Sequence, residues 1–238
     1  MIQIDARLRA IAAFVPAGDV LADIGGDHAY LAAALVQEGR CPRAIVGDLS
    51  AGACLTARRT AVRHQCIDRI DVRQGDGLSV LLPDEADTVA IAGMGGALMA
   101  QILAAAPHIL CTVGTLVLQP MNAADALRRW LYENDWHIAD ETLVHAGGRL
   151  YEVICAKQGH AAVPDEAFLL IGEKLFARRG PLLHAHIMAH IARLTHAAEG
   201  MARSAAARQS AAYRAAVSRL AALRTLLALS CAFKRPYA

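Results

Sequence analysis

The amino-acid sequence predicts an α/β fold, in which helices cover both faces of a parallel sheet, followed by a helical hairpin. Over the first 158 of the 238 residues, short apolar runs alternate with helical stretches, a pattern typical of a parallel sheet. Hydrophobic residues make up 55% of the chain and charged residues 19%, which excludes intrinsic disorder. From Leu182 to Leu229 there is no proline, and leucine and isoleucine recur at helical spacing, which predicts two antiparallel helices.

The predicted elements follow one another in a regular order. Apolar residues at helical spacing predict an opening amphipathic helix that ends before Pro16. Five apolar runs, each ending in a turn, predict strands at Val20–Ile24, Ala44–Gly47, Ile70–Arg73, Val89–Ala92 and Leu116–Leu118. Helices are predicted at Tyr30–Gln37, from the N-cap Ser50 to His64, and at Ala124–Asn134. The strands of a closing hairpin are predicted at Trp136–Val144 and Leu150–Ala156.

The longest uncharged stretch, Thr88–Ala124, is predicted to belong to the sheet and not to a membrane. A spanning helix requires about 20 continuous apolar residues, whereas glycine and proline interrupt this stretch at short intervals. Buried parallel strands give the same local composition. Gly159–Pro164 is a suitable linker, so the predicted domains are a sheet domain over residues 1–160 and a helical domain over residues 165–238.

Charge is distributed unevenly along the chain. Residues 1–172 hold 13 Lys and Arg against 20 Asp and Glu, a net charge of −7. Residues 173–238 hold 11 against 2, a net charge of +9. A basic tail on an acidic body indicates a polyanionic partner for the tail. The alternative is a solvated helical surface that is merely rich in arginine.

Neither the cysteines nor the histidines predict a metal site. The six cysteines stand singly, with no C-x-x-C pair, which argues against zinc and disulfides and fits the reducing cytoplasm. His184, His186 and His190 invite a metal interpretation, because the last two share a helix face. No carboxylate or cysteine lies close to them in the sequence. We therefore expect no metal and a solvated histidine stripe.

The turn after the first strand, Gly25-Gly26-Asp27-His28, is a candidate ligand site. Adjacent glycines allow a ligand to approach the backbone closely, although the G-x-G-x-x-G of a dinucleotide site is missing. Asp23 at the strand's end would repel a phosphate. It suits an ammonium group, such as the one at the amino acid end of S-adenosylmethionine. An ordinary tight turn between strand and helix is the alternative.

Two further acids favour the ligand interpretation. Asp48 lies 23 residues after Gly25, at the end of the next strand, where an acid accepts hydrogen bonds from ribose hydroxyls. Asp76, in the third turn, can accept a hydrogen bond from an adenine amino group. Three acids at three successive strand ends predict a nucleoside ligand with a positively charged tail. S-adenosylmethionine is one such ligand.

The fourth turn, Gly93-Met94-Gly95-Gly96, carries no acid, base or aromatic residue. Its small size suits a wall beside a flat base, and a close contact between helix and strand is the alternative. The chain lacks the Asn-Pro-Pro-Tyr pattern that grips an exocyclic amine. No cysteine follows a proline in this turn, which disfavours a pyrimidine C5 reaction through a thiol.

Several stretches of the chain resemble the bacterial tRNA adenine-22 N1-methyltransferases. They are Ala22–Leu31, Arg73–Leu78, Ile91–Gly96, Leu118–Pro120, Tyr151–Val153 and Gly180-Pro181. The specific blocks are Gly-Asp-His-Ala-Tyr-Leu, which begins at Gly26, and Ala-Gly-Met-Gly-Gly, which begins at Ala92. The resemblance extends over essentially the whole chain. In the family Leu-Gln-Pro is often followed by Asn, whereas here Met121 and then Asn122 follow.

The resemblance implies a class I S-adenosylmethionine-dependent methyltransferase. Its fold would be a Rossmann-like parallel sheet with a closing antiparallel hairpin, plus a C-terminal α-helical coiled-coil hairpin that helps to hold tRNA. The implied substrate is an adenine in the D-arm region, methylated on ring N1. The implied cofactor-binding residues are Asp23, Gly25, Gly26, Asp27, His28, Asp48, Leu49, Asp76, Gly77, Ala92, Gly93 and Met94.

The implied reaction requires little acid–base catalysis. Adenine N1 carries an in-plane lone pair and no proton, so it can attack the sulfonium methyl group directly. The product is a cationic base, which a carboxylate stabilises as the charge develops. Asp27 is the candidate for this role, His28 or Tyr30 for contact with the base, and Met94 for contact with the reacting methyl group. A hydrogen-bonded turn residue is the alternative for His28, and a core contact for Tyr30.

The resemblance also gives the basic tail a partner, because its arginines can contact the phosphates of a folded tRNA. The candidate RNA-binding residues are Arg178, Arg179, Arg193, Arg203, Arg208, Arg214, Arg219, Arg224, Lys234 and Arg235. A monomer or weak dimer is expected. One alternative is a methyltransferase for another RNA, a protein or a small molecule, with the tail as a dimerisation hairpin. A non-catalytic RNA-binding relic of the fold is a second alternative. A nicotinamide dehydrogenase is a weaker one, because this sequence lacks the glycines that bind a pyrophosphate.

Overall fold

The structure, a computed structural model, describes residues 2–232. The chain separates into two compact units, Met1–Val163 and Pro164–Ala238, which we call the sheet unit and the helical unit. The division falls within the predicted linker, Gly159–Pro164. Lys234 and Arg235, which the sequence suggests as phosphate contacts, lie outside the described residues.

The sheet unit contains a seven-stranded sheet with the strand order β3-β2-β1-β4-β5-β7-β6. The strands are β1 Leu21–Ile24, β2 Ala44–Asp48, β3 Ile70–Gln74, β4 Thr88–Met94, β5 Thr115–Pro120, β6 Trp136–Ala146 and β7 Arg149–Gln158. The first five strands pair in parallel, and β7 pairs antiparallel with both β5 and β6. The predicted parallel sheet with a closing antiparallel hairpin is therefore confirmed.

Six helices belong to the sheet unit as described. They are α1 Ala6–Phe14, α2 Tyr30–Gln37, α3 Ala51–Arg63, α4 Gly96–Ala104, α5 Pro107–Leu110 and α6 Ala124–Glu133, with 3₁₀ turns at Ile67–Arg69 and Gly77–Val80. Ser50 is the N-cap of α3, as predicted, and accepts a hydrogen bond from the backbone N–H of Ala53. Helix α4 was not predicted, because its residues are nearly all apolar and give no amphipathic stripe.

The core of the sheet unit is aliphatic. All four residues of β1 are buried, and α2 buries six of its eight residues, as expected for a helix that is apolar on every side. Thr88–Ala124, the uncharged stretch, supplies the central strands β4 and β5. Within residues 2–232, no helix is long and apolar enough to cross a membrane.

A buried ion cluster fastens the closing hairpin to α6. The side chain of Arg128 is 1% exposed and donates hydrogen bonds to Glu141 of β6 at 2.7 Å and to Glu152 of β7 at 2.6 Å. The pKa of Arg128 is raised, because the two carboxylates outweigh its desolvation. Removal of one partner would leave an uncompensated buried charge, which typically costs about 3–5 kcal/mol. The motif Tyr151-Glu152-Val153 therefore has a structural role.

The helical unit is built around two long helices that form a hairpin. Its helices are α7 Glu166–Ile171, α8 Glu173–Arg178, α9 Leu183–Ala202, α10 Ala205–Arg208 and α11 Ala211–Ala232. Ala198 of α9 packs against Ala216 and Leu220 of α11, flanked by Ile191 and Leu194. The sequence left open whether the alanine-rich middle is a turn or continuous helix. The structure shows the short α10 there, capped by Ser204.

The expectation of a solvated histidine stripe is wrong for His186 and His190. Both are buried, because they share the face of α9 that also buries Leu183 and Ile187. Their ring centroids are 4.7 Å apart, and His186 Nε2 lies 3.2 Å from the carbonyl oxygen of Ile171. His184, on another face of the helix, is exposed as expected.

Candidate active site

The candidate site lies where the parallel strands end, at their carboxyl edge. The turns that follow β1 and β3 are each joined by a backbone hydrogen bond to the end of β2. The N–H of Gly25 donates to the carbonyl oxygen of Gly47 at 2.7 Å, and the N–H of Gly75 donates to that of Asp48 at 3.0 Å. Because these turns lie side by side, the acids predicted from three separate segments share one edge of the sheet.

The turn after β1 is too tight for side chains at its glycines. Gly25 has φ +74°, a left-handed conformation. A Cβ at Gly26 would lie 2.7 Å from Oδ2 of Asp23. A Cβ at Gly25 would lie 2.1 Å from the terminal methyl of Met94, so the side chain of Met94 packs against this turn. The turn thus leaves backbone exposed to a ligand and the Asp23 carboxylate close behind it.

Asp23 is buried, with 5% of its surface exposed. Burial raises the pKa of its carboxyl to about 7, helped by the charge of Asp27 and opposed by the backbone N–H of Ala32 and by Arg7. Near neutral pH this carboxyl is therefore poised between its two protonation states. A cation bound beside it would favour the ionised form and lower its pKa.

A cavity of about 290 Å³ opens above this turn. It brings together seven of the predicted cofactor residues and Tyr30. The residues that line it are Arg7, Leu8, Asp23, Gly25, Gly26, Asp27, His28, Ala29, Tyr30, Leu31, Ala92 and Gly93. The cavity therefore presents two carboxylates, a guanidinium group and exposed backbone to a small ligand.

At this cavity the side chains of His28 and Tyr30 form a flat, accessible pair. Their rings are parallel to within 13°, with centroids 5.2 Å apart, and Tyr30 is 44% exposed. Nε2 of His28 lies 3.5 Å from Oδ2 of Asp27, whose side chain is also exposed. The core-contact alternative does not describe the exposed ring of Tyr30, whereas His28 lies in the turn beside Asp27, as its alternative of a turn residue has it. A planar ring can stack on such a surface, with the carboxylate of Asp27 nearby.

The structure places Asp48 and Leu49 outside this cavity, in the neighbouring turn after β2. Asp48 is half-buried, and its Oδ1 accepts a hydrogen bond from the backbone N–H of Ser50 at 2.8 Å. This bond fixes the carboxylate at the end of the strand. Leu49 is 68% exposed, so its side chain is accessible to a ligand that crosses the turn.

Asp76 and Gly77 line a second cavity, of about 470 Å³. Its apolar wall comes from α4, through Leu98 and Ile102. A Cβ at Gly77 would lie 2.8 Å from the side chain of Ile102, so glycine is needed for the helix to approach. Leu98 and Ile102 are site residues that the sequence did not reveal, because α4 itself was not predicted.

Arg73 and Glu85 hold the turn that carries Asp76. The guanidinium of Arg73 donates to both carboxylate oxygens of Glu85, at 2.6 and 2.9 Å, and to the carbonyl oxygen of Val80 at 2.7 Å. The hydrogen bond from Arg73 lowers the pKa of Glu85 to about 2. This bidentate pair fixes the end of β3 against the segment that follows Asp76.

The glycine-rich turn after β4 makes close contacts with the loop after β5. The N–H of Gly96 donates to the carbonyl oxygen of Asn122 at 2.9 Å, and that of Met121 to Met94 at 2.8 Å. A Cβ at Gly96 would lie 2.3 Å from the carbonyl oxygen of Ala123. Gly96 therefore serves a close contact between α4 and this loop, and not between a helix and a strand, while Gly93, with φ +78°, lines the cavity.

Arg7 of α1 is a cavity residue that the sequence interpretation did not identify. Its Nη1 donates to Oε1 of Gln119 at 2.8 Å, and its guanidinium lies 5.8 Å from the ring centroid of Tyr151. Gln119 is fully buried. The sequence does hold one signal for Arg7: a glutamine stands inside the apolar run of β5. A buried glutamine requires a polar partner.

Most of the candidate RNA-binding arginines are exposed on the helical unit. Arg219 is half-buried and forms an ion pair with Glu166 at 3.0 Å. Nη1 of Arg214 donates to the backbone oxygen of Gln209 at 2.8 Å. The exposed members of the set are Arg178, Arg179, Arg193, Arg203, Arg208, Arg214 and Arg224.

Comparison with known proteins gives consistent matches over most of the chain. A family model described as tRNA (adenine(22)-N(1))-methyltransferase matches residues 21–222. A curated Bacillus subtilis protein of that name is 41% identical over 158 residues, which cover 66% of either chain. A Mycoplasma pneumoniae relative is 38% identical over 139 residues, or 63% of its length. The alignments thus span slightly less than two thirds of these curated relatives.

Solved structures align over nearly the whole chain. The crystal structure of the Bacillus subtilis M1A22 tRNA methyltransferase TrmK gives a TM-score of 0.87 at 30% identity and covers 95% of this chain and 100% of that one. A Streptococcus pneumoniae protein solved in complex with S-adenosyl-L-methionine gives a TM-score of 0.84 at 29% identity. That alignment covers 94% of this chain and 100% of the other.

Proposed function

Because the chain belongs to the tRNA (adenine(22)-N(1))-methyltransferase family, we propose that it transfers the methyl group of S-adenosylmethionine to ring N1 of an adenine in the D-arm region of tRNA. The observation that carries the proposal is the meeting of Asp23, Asp48 and Asp76 at one edge of the sheet, beside the stacked His28 and Tyr30. A dehydrogenase or a non-catalytic relic of the fold does not require this set.

The residues at the edge of the sheet fit the cofactor in three parts. Asp23 and Asp27 face the ammonium group of its amino acid end in the smaller cavity. Asp48 accepts hydrogen bonds from the ribose hydroxyls, beside Leu49. The adenine ring lies in the larger cavity, between the polar turn of Asp76 and Gly77 and the apolar wall of α4. Gly25, Gly26, Ala92, Gly93 and Met94 supply the close backbone surface around the methionine chain.

The reaction depends on position more than on proton transfer. When bound, S-adenosylmethionine supplies an electrophilic methyl group, which adenine N1 attacks in line while the bond between sulfur and methyl breaks. Asp27 stabilises the positive charge that develops on the base. His28 and Tyr30 hold the base by stacking, so that N1 faces the methyl group. Such positioning can supply several kcal/mol of the barrier reduction.

We assign tRNA binding chiefly to the helical unit. Its exposed arginines can track phosphates, and such contacts contribute an affinity that depends on salt concentration. N1 lies on the Watson–Crick edge of adenine, so the target base must be free of a Watson–Crick pair. The proposed partner is therefore a folded tRNA, bound by a protein that we expect to be a monomer or weak dimer.

The decisive experiment is methyl transfer from labelled S-adenosylmethionine to unmodified tRNA transcripts, followed by nucleoside analysis. We expect 1-methyladenosine that maps to the D-arm region, and no label in a transcript whose target adenine is replaced by guanine. Cofactor binding measured by calorimetry without methyl transfer to tRNA would redirect the assignment to another RNA, a protein or a small molecule. No cofactor binding would contradict the proposed activity altogether.

A further inference from the structure

We propose that Arg7 binds the carboxylate of the cofactor's amino acid end. This inference rests on the proposed function, since it concerns the cofactor assigned there. It adds a binding residue from α1, an element that precedes the sheet and carries none of the recognised motifs. The support comes from where the guanidinium lies, what holds it and which charges surround it.

The guanidinium of Arg7 is positioned at the cavity. Arg7 lines the same 290 Å³ space as Asp23, Gly25 and Asp27. Its Nη1 lies 3.8 Å from the point where a Cβ on Gly93 would stand, so it faces the open backbone of that glycine. Arg7 also acts electrostatically on Asp23, whose pKa it lowers against the effect of burial. The cation and the buried acid are therefore close enough to bind two ends of one small zwitterion.

A hydrogen bond to a neutral group holds Arg7, so its positive charge is available to a ligand in the cavity. Its side-chain hydrogen bond goes to the amide oxygen of Gln119, at 2.8 Å, and not to either carboxylate of the cavity. Gln119 is itself fixed, because its Nε2 donates to the carbonyl oxygen of Pro120 at 3.0 Å. A guanidinium has five N–H donors. Within residues 2–232 the hydrogen bond to Gln119 occupies one of them, and the others can reach a carboxylate in the cavity.

The charges of the cavity match an α-amino acid. Asp23 and Asp27 suit its ammonium group, while Arg7 suits its carboxylate, which guanidinium groups bind in a charge-assisted, bidentate geometry. With the two acids alone, the cavity would repel the carboxylate. Arg7 thus explains how a site with two acids can accept a ligand end that carries both charges.

The test uses calorimetry with S-adenosylmethionine and its decarboxylated form, which keeps the ammonium group and lacks the carboxylate. The wild type should bind S-adenosylmethionine at least about tenfold more tightly than the decarboxylated form, as expected for a charge-assisted hydrogen bond. Arg7→Gln should lower the affinity for S-adenosylmethionine by roughly 10- to 100-fold. Its affinity for the decarboxylated form should stay within about threefold of the wild type. Arg9→Gln, an exposed arginine two positions along α1, is the matched control and should change neither affinity.

Two results would overturn the inference: equal loss of both ligands in Arg7→Gln, or a wild type that does not distinguish them. Arg7→Lys covers the case in which Arg7→Gln does not fold. It keeps the charge but not the bidentate geometry, so it should weaken the binding of S-adenosylmethionine selectively and by a smaller factor.

A wild type that binds S-adenosylmethionine selectively but does not methylate tRNA would contradict the proposed function and leave the assignment of Arg7 intact. A wild type that binds neither ligand would refute both.

Discussion

The sheet unit and the helical unit carry charge in different ways. Residues 1–163 hold 13 basic and 18 acidic residues, and residues 164–238 hold 11 basic and 4 acidic residues. Of the acids of the candidate site, Asp23 is buried and Asp48 is half-buried, and each accepts a hydrogen bond from a backbone N–H that holds it at its strand end. The arginines of the helical unit stand on exposed helix faces. A fixed, partly buried charge acts through its position, whereas exposed charges act through their summed field. The two units should therefore respond to different perturbations.

The largest effect that would separate the two units is expected from Asp48→Ala. We propose that Asp48 accepts hydrogen bonds from the ribose hydroxyls, so its loss should weaken S-adenosylmethionine binding by about 100-fold, since hydrogen bonds to a charged group contribute about 1.5–3 kcal/mol each. The affinity for tRNA should not change. Calorimetry measures the first quantity and filter binding the second. Asp68→Ala, an exposed acid of the same unit, is the control. Equal loss of cofactor and tRNA binding would refute the division between the units.

Removal of exposed charge from the helical unit should affect tRNA alone. The triple variant Arg203→Gln, Arg208→Gln, Arg214→Gln should weaken tRNA binding about tenfold and reduce the salt slope by about 2, at roughly 0.7–0.9 per phosphate contact. Cofactor affinity should stay constant. An unchanged salt slope would show that these arginines do not contact the phosphates of tRNA.

A matched triple variant in the sheet unit separates local contacts from net charge. Arg9, Arg59 and Arg63 are exposed there, and their replacement by glutamine removes the same total charge. Their loss should leave the salt slope within error of the wild type. An equal reduction in both triple variants would mean that tRNA responds only to overall charge.

A change of pH should affect the sheet unit in particular. The pKa of Asp23 is raised to about 7, so its ionised form, which we propose to pair with the cofactor's ammonium group, increases between pH 6 and 7.5. Cofactor affinity should rise several-fold over this range. Without cofactor the sign is opposite: the folded state holds a proton that the unfolded chain has released, so stability falls as pH rises from about 4 to 7. In Asp23→Asn both dependences should be flatter, and an unchanged pH profile would exclude Asp23 as their source.

The smallest expected effects are changes in the free energy of unfolding when one glycine in each unit is replaced by alanine. A Cβ at Gly200, inside α9, would meet nothing within 4 Å, so Gly200→Ala should stabilise the protein by about 0.5–1 kcal/mol. Gly26→Ala should destabilise it by about 1–3 kcal/mol, because the added Cβ would stand against the carboxylate of Asp23. Thermal unfolding measures both changes. A Gly26→Ala variant that is as stable as the wild type or more stable would mean that the turn after β1 is looser than the structure shows.

The sequence was most informative where the local pattern is strong. The five parallel strands, α2 and the N-cap Ser50 follow from apolar runs and turn residues, which act over a few positions. It was least informative where the meaning of a residue depends on distant partners. Arg7 meets Gln119 across 112 positions, and the burial of His186 and His190 depends on which face of α9 packs inward. Leu98 and Ile102 became site residues only once α4 and the turn at Gly77 were placed together.

The hydrogen bond between Arg7 and Gln119 also bears on when the cavity is completed. Arg7 belongs to the first helix of the chain, but its partner belongs to β5, 112 residues later. Contacts between residues so far apart form late, because a long loop must close before they stabilise anything. We therefore expect that, during synthesis, Arg7 lacks its partner until β5 has joined the sheet. Cofactor bound through Arg7 would then mark a chain whose central strands are already assembled.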